Sequence, residues 1–208
     1  MSKTLVVFFI LSNITIKSQE NHPQNYFSDP LETEKILNGN FGETRSAHFH
    51  SGIDFKTQFK EGLNVYSSAE GYVSRISIKH GGFGKALYIN HPNGYTTVYA
   101  HLKNFSNKIE SYIKKLQYGR KTFQIEHYPN KNALPILKKE KIGSSGNTGS
   151  SFGPHLHYEI RKTSNQKPLN PQLFNFNIKD SRKPTLSSVF LYKIDSLFQV
   201  SNPMKIRV

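Results

Sequence analysis

Two short segments place histidine and carboxylate side chains at alternate positions, the spacing that brings side chains together on one face of a strand. The first runs from His48 to Phe55. If this segment is extended, His50, Gly52 and Asp54 lie on the same side as His48. The other side carries three apolar residues that are predicted to pack into a core: Phe49, Ile53 and Phe55. We expect Gly52 to leave room for an ion between the polar side chains.

The second segment repeats this arrangement with two histidines and a glutamate. His155, His157 and Glu159 share one face of a predicted strand. The alternate residues are apolar and are predicted to face the core: Leu156, Tyr158 and Ile160. Two imidazoles on one strand face are costly to bury without a partner, and zinc bound by histidine nitrogens and a carboxylate oxygen removes that cost. The alternative is a pair of half-exposed histidines on a sheet surface.

A third histidine, His101, lies in a short run of apolar and aromatic residues. Read as a strand, this run places His101 and Tyr99 on one face, opposite Val98, Ala100 and Leu102. A lone histidine in a strand is usually structural, so the spacing alone leaves both a structural and a catalytic role open.

The elements that must position these residues are mostly strands. Alternating apolar runs predict strands over 63–67, 71–78, 86–89 and 95–102, with Asn93-Gly94 as a hairpin turn between the last two. Further strands are predicted within 141–160 and 186–200. The fold class is therefore mainly β, with an antiparallel sheet.

A change of period in the middle of the chain indicates one helical insertion around 107–118. Apolar side chains recur there at helical spacing: Ile109, Tyr112, Ile113 and Leu116. Asn107 and Glu110 resemble a capping box, and Gly119 is predicted to end the helix.

The ends of the chain differ in character from its centre. Residues 1–18 combine a basic start with a seven-residue apolar run, which predicts an export signal and is too short to span a membrane. A buried first strand is the alternative. Residues 19–40 are predicted to form an N-terminal arm, 41–172 the central domain, and 173–208 a strand-like extension that could be the start of a longer chain.

Composition limits the classes of protein that remain. The 208 residues include 15 Phe and 11 Tyr, and so many aromatic residues argue against intrinsic disorder. The absence of cysteine excludes disulfides, thiolate metal sites and a cysteine nucleophile. The net charge of +14 favours polyanionic surroundings. Half of this net charge lies in residues 102–141, which form either a solvated surface or a patch that binds the cell wall. A nucleic-acid binder is disfavoured, because no binding motif accompanies the charge.

Taken together, the motifs resemble those of the lysostaphin-type zinc metalloendopeptidases, peptidase family M23. The resemblance covers about residues 40–163 and rests on an ordered set of segments: His50-x-x-x-Asp54, Tyr99-Ala100-His101-Leu102, Gly146-Asn147-Thr148-Gly149 and Gly153-Pro154-His155-Leu156-His157. It implies a sheet with a groove that holds one zinc ion per chain.

The resemblance also implies a role for each histidine of the set. His50, Asp54 and His157 correspond to the zinc ligands, and His101 and His155 to the catalytic residues that act on the substrate and the attacking water. Glu159 is expected to support a ligand or to lie at a strand edge, and His48 to be either a supporting residue or exposed. His101 and His155 remain alternatives for the base.

The implied activity is hydrolysis of peptide bonds in the stem or cross-bridge peptides of peptidoglycan. The implied location is the periplasm or cell envelope of a bacterium, with no transmembrane segment and no nucleic-acid partner. The alternative is a catalytically silent regulator with the same fold, which binds the wall; the complete set of ligand residues argues against it.

Overall fold

The computed structural model describes residues 22–45, 48–176, 178, 183 and 185–207, so the predicted export signal lies outside the described residues. The described residues form one α-helix, α1 (Asn107–Arg120), and a 3₁₀ helix at Pro171–Phe174. The strands are β1 (Leu37–Gly39), β2 (Ile53–Lys56), β3 (Asn64–Tyr66), β4 (Gly71–Ile78), β5 (Lys85–Asn90), β6 (Tyr95–Ala100), β7 (Asn104–Phe105), β8 (Ile125–His127), β9 (Pro135–Ile136), β10 (Lys141–Ser144), β11 (His155–Lys162), β12 (Pro168–Leu169), β13 (Ser188–Leu191) and β14 (Met204–Arg207).

One large antiparallel sheet carries the fold and confirms the predicted class. Seven of its strands lie in the order β1-β2-β11-β6-β5-β4-β8, with β12 paired to β11 and β9 paired to β4. The predicted hairpin joins β5 to β6, and Gly94 in its turn has φ 82°. A smaller sheet of order β3-β10-β7 lies beside it, and β13 and β14 form a separate pair.

The two faces of the large sheet differ in what they bury. One face carries the main core, which includes Leu156, Tyr158 and Ile160 of β11, as their alternation predicts. The other face carries a small cluster of Ala86, Tyr88, Val98 and Ala100, with Phe83 packed against it. Because directly paired residues of neighbouring strands share a face, His157 lies on this second face opposite Ala100.

Helix α1 packs against the main core through Ile109 and Ile113. Its boundaries correct the sequence prediction: Ser106 is the N-cap residue, and Lys121, with φ 51°, ends the helix instead of Gly119. Glu110 still reaches back, and its carboxylate accepts a hydrogen bond from the Phe105 N–H at 3.3 Å. Among the described residues, no helix has both the length and the apolar character needed to cross a membrane.

The segments on either side of the central domain make different contacts. In the N-terminal segment, Phe27 and Leu31 are buried in the main core, and β1 extends the large sheet. In the C-terminal segment, β13 confirms the strand predicted within 186–200. Its partner β14 lies beyond that range, and all four of its residues are exposed.

The first histidine segment departs from the extended conformation that alternation predicted. Strand β2 begins only at Ile53, and the preceding residues form a loop with an isolated bridge between Thr44 and Phe49. Phe49 is 71% exposed, so its predicted place in the core is wrong. Ile53 and Phe55 do lie in the core.

A buried histidine outside the predicted site makes the stability of the fold depend on pH. Nδ1–H of His91 donates to the Glu70 carbonyl at 2.7 Å, and Nε2 lies 2.8 Å from Thr97 Oγ1. Burial lowers the pKa of His91 from 6.5 to about 4. The unfolded chain therefore binds this proton at a higher pH than the folded protein does, and acidification through that window favours unfolding.

We expect the loss of thermal stability between pH 7 and pH 4.5 to be smaller in His91→Gln than in the unmodified protein. The proton on His91 accounts for up to about 3 kcal/mol of the pH dependence. Melting temperatures measured across this range provide the test, with the exposed His80 as control, because His80→Gln should retain the original slope. Parallel slopes for His91→Gln and the unmodified protein would contradict the assignment.

Candidate metal centre

Three potential ligand atoms converge between strands β2 and β11. Asp54 on β2 is paired directly with His157 on β11, and His50 reaches the same point from the loop before β2. Asp54 Oδ1 lies 2.9 Å from His157 Nδ1 and 3.1 Å from His50 Nε2, and the two nitrogens are 3.0 Å apart. All three residues are buried.

The outer nitrogens of the two histidines determine which atoms face the centre as acceptors. Nδ1 of His50 lies 2.8 Å from the Asn40 carbonyl, which can only accept, so this nitrogen carries the proton. Nε2 of His157 lies 2.9 Å from Glu159 Oε1. Although burial opposes ionisation of Glu159, its bonds with His157 and Arg161 lower its pKa to about 2, so that it too accepts. When both imidazoles are neutral, the inner nitrogens and Asp54 Oδ1 therefore present lone pairs to one another.

Such a set of acceptors fits a metal cation. A tetrahedral zinc site with ligand atoms about 2.0 Å from the metal has edges of about 3.3 Å. The three separations here, 2.9, 3.0 and 3.1 Å, are close to that value. Two nitrogens and one carboxylate oxygen also match the ligand preference of zinc, and three protein ligands leave a fourth position open.

The charges around the centre favour a positive charge at this point. Burial works to lower the pKa of His157, but the adjacent Asp54 and Glu159 outweigh it and raise this pKa to about 9. Burial likewise works to raise the pKa of Asp54, and its bonds to His157 and His50 hold it well below the usual range. Arg45 Nη2 lies 3.0 Å from Asp54 Oδ2, the oxygen that faces away from the histidines.

His101 joins the centre through a break in strand alternation. Its φ of 56° is left-handed, and it follows the last residue of β6. The expectation that it shares a face with Tyr99 is therefore wrong: Tyr99 and Leu102 lie in the main core. The His101 ring turns to the opposite face, with its centroid 4.7 Å from that of His155 and 5.9 Å from that of His157.

His101 and His155 are both held with one nitrogen free. Nδ1 of His101 donates to the Thr148 carbonyl at 2.8 Å, and Nδ1 of His155 donates to the Gly153 carbonyl at 2.8 Å. Their Nε2 atoms remain as acceptors, and that of His155 lies 3.6 Å from Asp54 Oδ1. Burial lowers the pKa of His101 to about 4, so this imidazole is neutral at neutral pH.

The structure thus brings together the five residues selected from the sequence: His50, Asp54, His101, His155 and His157. Of the two roles considered for His48, it supports the exposed position. The expectation that Gly52 leaves room for an ion is wrong, because a Cβ there would overlap the Tyr158 carbonyl and the Glu159 side chain. Glu159 is fully buried and bonded to His157, so it supports that residue.

Several contributors to the centre carry no signal in the sequence. The carbonyls of Asn40 and Thr148 orient two of the histidines, and any residue type could supply them. Gly39 is required by close approach, since a Cβ there would overlap Asp54 and Arg45. The Phe83 ring packs against His157, with centroids 4.9 Å apart.

Comparison with known proteins identifies the family. The sequence model of peptidase family M23 matches residues 48–118 and 126–171, and the chain belongs to this family. The matched region contains the five residues that converge at the centre.

Individual relatives are longer than this chain. It is 36% identical over 122 residues to a DD-carboxypeptidase/endopeptidase, Mpg, of Neisseria meningitidis. The matched region covers 59% of this chain and 22% of the relative. It is 28% identical over 177 residues to the peptidoglycan DD-endopeptidase ShyA of Vibrio cholerae, covering 82% and 35% of the two chains. The chain therefore spans less than two thirds of these relatives.

Solved structures share the fold. A zinc-containing peptidase from Vibrio cholerae superposes with a TM-score of 0.51 and 23% identity, covering 77% of this chain and 41% of that one.

The bond between Glu159 and His157 predicts a measurable effect on metal binding. Glu159→Gln removes the charged acceptor that orients the His157 ring, and loss of such a partner typically weakens metal affinity about 10–100-fold. Zinc affinity measured by competition with a chelator tests this expectation.

Glu126→Gln is the matched control, because Glu126 lies on the surface strand β8 and should leave the zinc affinity unchanged. Circular dichroism should verify that both variants are folded. Equal affinities for Glu159→Gln and the unmodified protein would show that Glu159 does not support the centre.

Proposed function

We propose that this chain is a zinc metalloendopeptidase that hydrolyses peptide bonds in the stem or cross-bridge peptides of peptidoglycan. The observation that carries the proposal is the convergence of three buried acceptor atoms beside two further imidazoles with free nitrogens. Membership of peptidase family M23 supports the reaction class.

In this proposal His50, Asp54 and His157 hold one zinc ion per chain. When bound, zinc supplies Lewis-acid chemistry: it polarises the scissile carbonyl and lowers the pKa of a water molecule. Asn40 and Glu159 keep the two ligand imidazoles in the required tautomers, and Arg45 neutralises the outer oxygen of Asp54.

The two remaining histidines have separate tasks. His155 accepts the proton of the attacking water at Nε2, since its Nδ1–H is committed to the Gly153 carbonyl. His101 has a pKa of about 4 and is a weak base, so it orients the water by accepting a hydrogen bond at Nε2. Transfer of the proton from His155 to the leaving amine completes hydrolysis.

The substrate class and location are inferred from relatives and from the sequence. The named activities of the relatives from Neisseria and Vibrio are those of endopeptidases, and that of ShyA is directed at peptidoglycan. We assign residues 1–18 to an export signal and residues 41–172 to the peptidase domain, with the protein acting in the periplasm or cell envelope.

Digestion of purified peptidoglycan tests the reaction class directly. We expect soluble peptides with new amino and carboxyl termini, which mass spectrometry identifies. Removal of the metal by a chelator should abolish their release, and added zinc should restore it. Undiminished cleavage after verified metal removal would exclude the mechanism, while wall binding without cleavage by the zinc-loaded protein would favour a silent regulator.

Two substitutions on one strand face distinguish a ligand from a catalyst. His157→Ala removes one of three protein ligands, so both zinc and activity should be lost. His155→Ala leaves the three ligands in place, and loss of general acid–base catalysis should lower turnover by about 10²–10⁴-fold while zinc is retained.

Zinc content and turnover are measured on both purified variants after their folding has been verified. Loss of zinc from His155→Ala and its retention in His157→Ala would reverse the two assignments. Zinc and full activity in both variants would place the site elsewhere.

A further inference from the structure

A second groove lies on the same face of the large sheet as the metal centre. It encloses about 540 Å³ over strands β4 and β5 and the chain after β8. We call it the Arg75 pocket and define it by six lining residues: Tyr72, Arg75, Tyr88, Asn90, Tyr128 and Lys131.

The sheet register connects this pocket to the centre. Glu159 is paired with Val98, Val98 with Tyr88, and Tyr88 with Arg75. Paired residues share a face, so the pocket and the centre lie on the same face of the sheet. Val98 and Glu159 are fully buried, so a ligand that reaches both sites passes over the side chains that cover these two residues. Arg161, which bonds to Glu159, lies with its guanidinium 5.7 Å from the Tyr88 ring centroid, and Arg75 lies 4.5 Å from the same ring.

The pocket carries an excess of positive charge. Glu126 forms ion pairs with Arg75 at 2.7 Å and with Lys79 at 2.8 Å. Lys131 forms no ion pair with any residue that the structure describes, and its Nζ lies 5.7 Å from the Tyr72 ring centroid. Of the two cationic side chains that line the pocket, Arg75 shares the Glu126 carboxylate with Lys79, and Lys131 is uncompensated.

Hydrogen-bond donors in the pocket suit a carboxylate. Arginine and carboxylate groups match in planar geometry, and Arg75 already binds one carboxylate through Nη2. The Nε–H of Arg75 is shielded from solvent and has no partner among the described residues. An unpaired buried donor is costly, so an additional acceptor at this position would be stabilising.

The spacing fits a peptide. Three strand steps of about 4.8 Å and two residues along β11 separate the Arg75 pocket from His157 by roughly 16 Å. An extended peptide advances about 3.3 Å per residue, so this distance corresponds to four or five residues.

We propose that the Arg75 pocket is a substrate subsite that binds a carboxylate of the peptide four or five residues from the scissile bond. This inference rests on the proposed function, because it takes the scissile bond to lie at the metal centre. It adds a determinant of specificity: peptides with a free carboxylate at that distance are preferred over the same peptides with a carboxamide.

Steady-state kinetics on two matched substrates test the proposal. The substrates are cross-linked muropeptides from purified peptidoglycan, with their carboxylates either free or converted to carboxamides. Lys131→Gln should raise KM for the free carboxylate about threefold, the size expected for an exposed ion pair, and leave kcat unchanged. KM for the carboxamide should not change. Lys121→Gln, after helix α1, makes the same change in charge outside the pocket and serves as control.

A substitution that is expected to lower KM, instead of raising it, strengthens the test. Glu126→Gln removes the carboxylate that competes for Arg75 and should lower KM for the free carboxylate by about twofold to fivefold. Equal KM values for the two substrates in the unmodified protein would overturn the proposal. Equal increases in KM for Lys131→Gln and Lys121→Gln would also overturn it, because they would indicate general attraction by charge.

Calorimetry separates this proposal from the proposed function. If the zinc-loaded protein cleaves neither substrate, the reaction class is wrong, but binding of the two muropeptides still tests the pocket. Tighter binding of the free carboxylate, lost in Lys131→Gln and kept in Lys121→Gln, would support the subsite. Identical binding of both muropeptides would exclude it.

Discussion

The structure depends on one electrostatic constraint: three buried acceptor atoms point at one another and require a positive charge between them. His50 Nε2, Asp54 Oδ1 and His157 Nδ1 come from a loop and two neighbouring strands. When both imidazoles are neutral, their protons lie on the outer nitrogens, and none of these three atoms offers a proton to the others. The pairing of β2 with β11 brings Asp54 and His157 together. The absence of a side chain at Gly52 lets its backbone approach that of Tyr158, and its absence at Gly39 leaves space for the Asp54 carboxylate and the Arg45 guanidinium.

The part of the site that lies on regular strands could be predicted from the sequence. Strand β11 is central, paired with β2 and β6, so strict alternation places His155, His157 and Glu159 on one face. Alternation did not predict the conformation of residues 48–52 correctly, because these residues form a loop before β2 begins. Alternation of residue types cannot by itself show where a strand starts, and Phe49 therefore looked like a core residue although it is exposed.

Other parts of the site depend on contacts between distant segments and could not be predicted. His101 reaches the centre because it is itself in the left-handed conformation directly after β6, a conformation that is uncommon for residues other than glycine and that alternation of residue types does not reveal. The Asn40 and Thr148 carbonyls are backbone groups, so residue identity does not reveal them. The excess charge between Lys79, Arg75 and Lys131 likewise arises only when β4 lies beside the chain after β8.

Because His157 is paired directly with Asp54, the centre forms only when β11 and β2 are in their native register. A shift of β11 by one residue relative to β2 would exchange the two faces of the strand. Leu156 or Tyr158 would then face Asp54, and two imidazoles would be forced into the apolar core. A misregistered chain would thus lose its metal affinity and its core packing together. Metal binding can therefore select the native register during assembly of the sheet, because a ligand that binds only the native state stabilises that state alone.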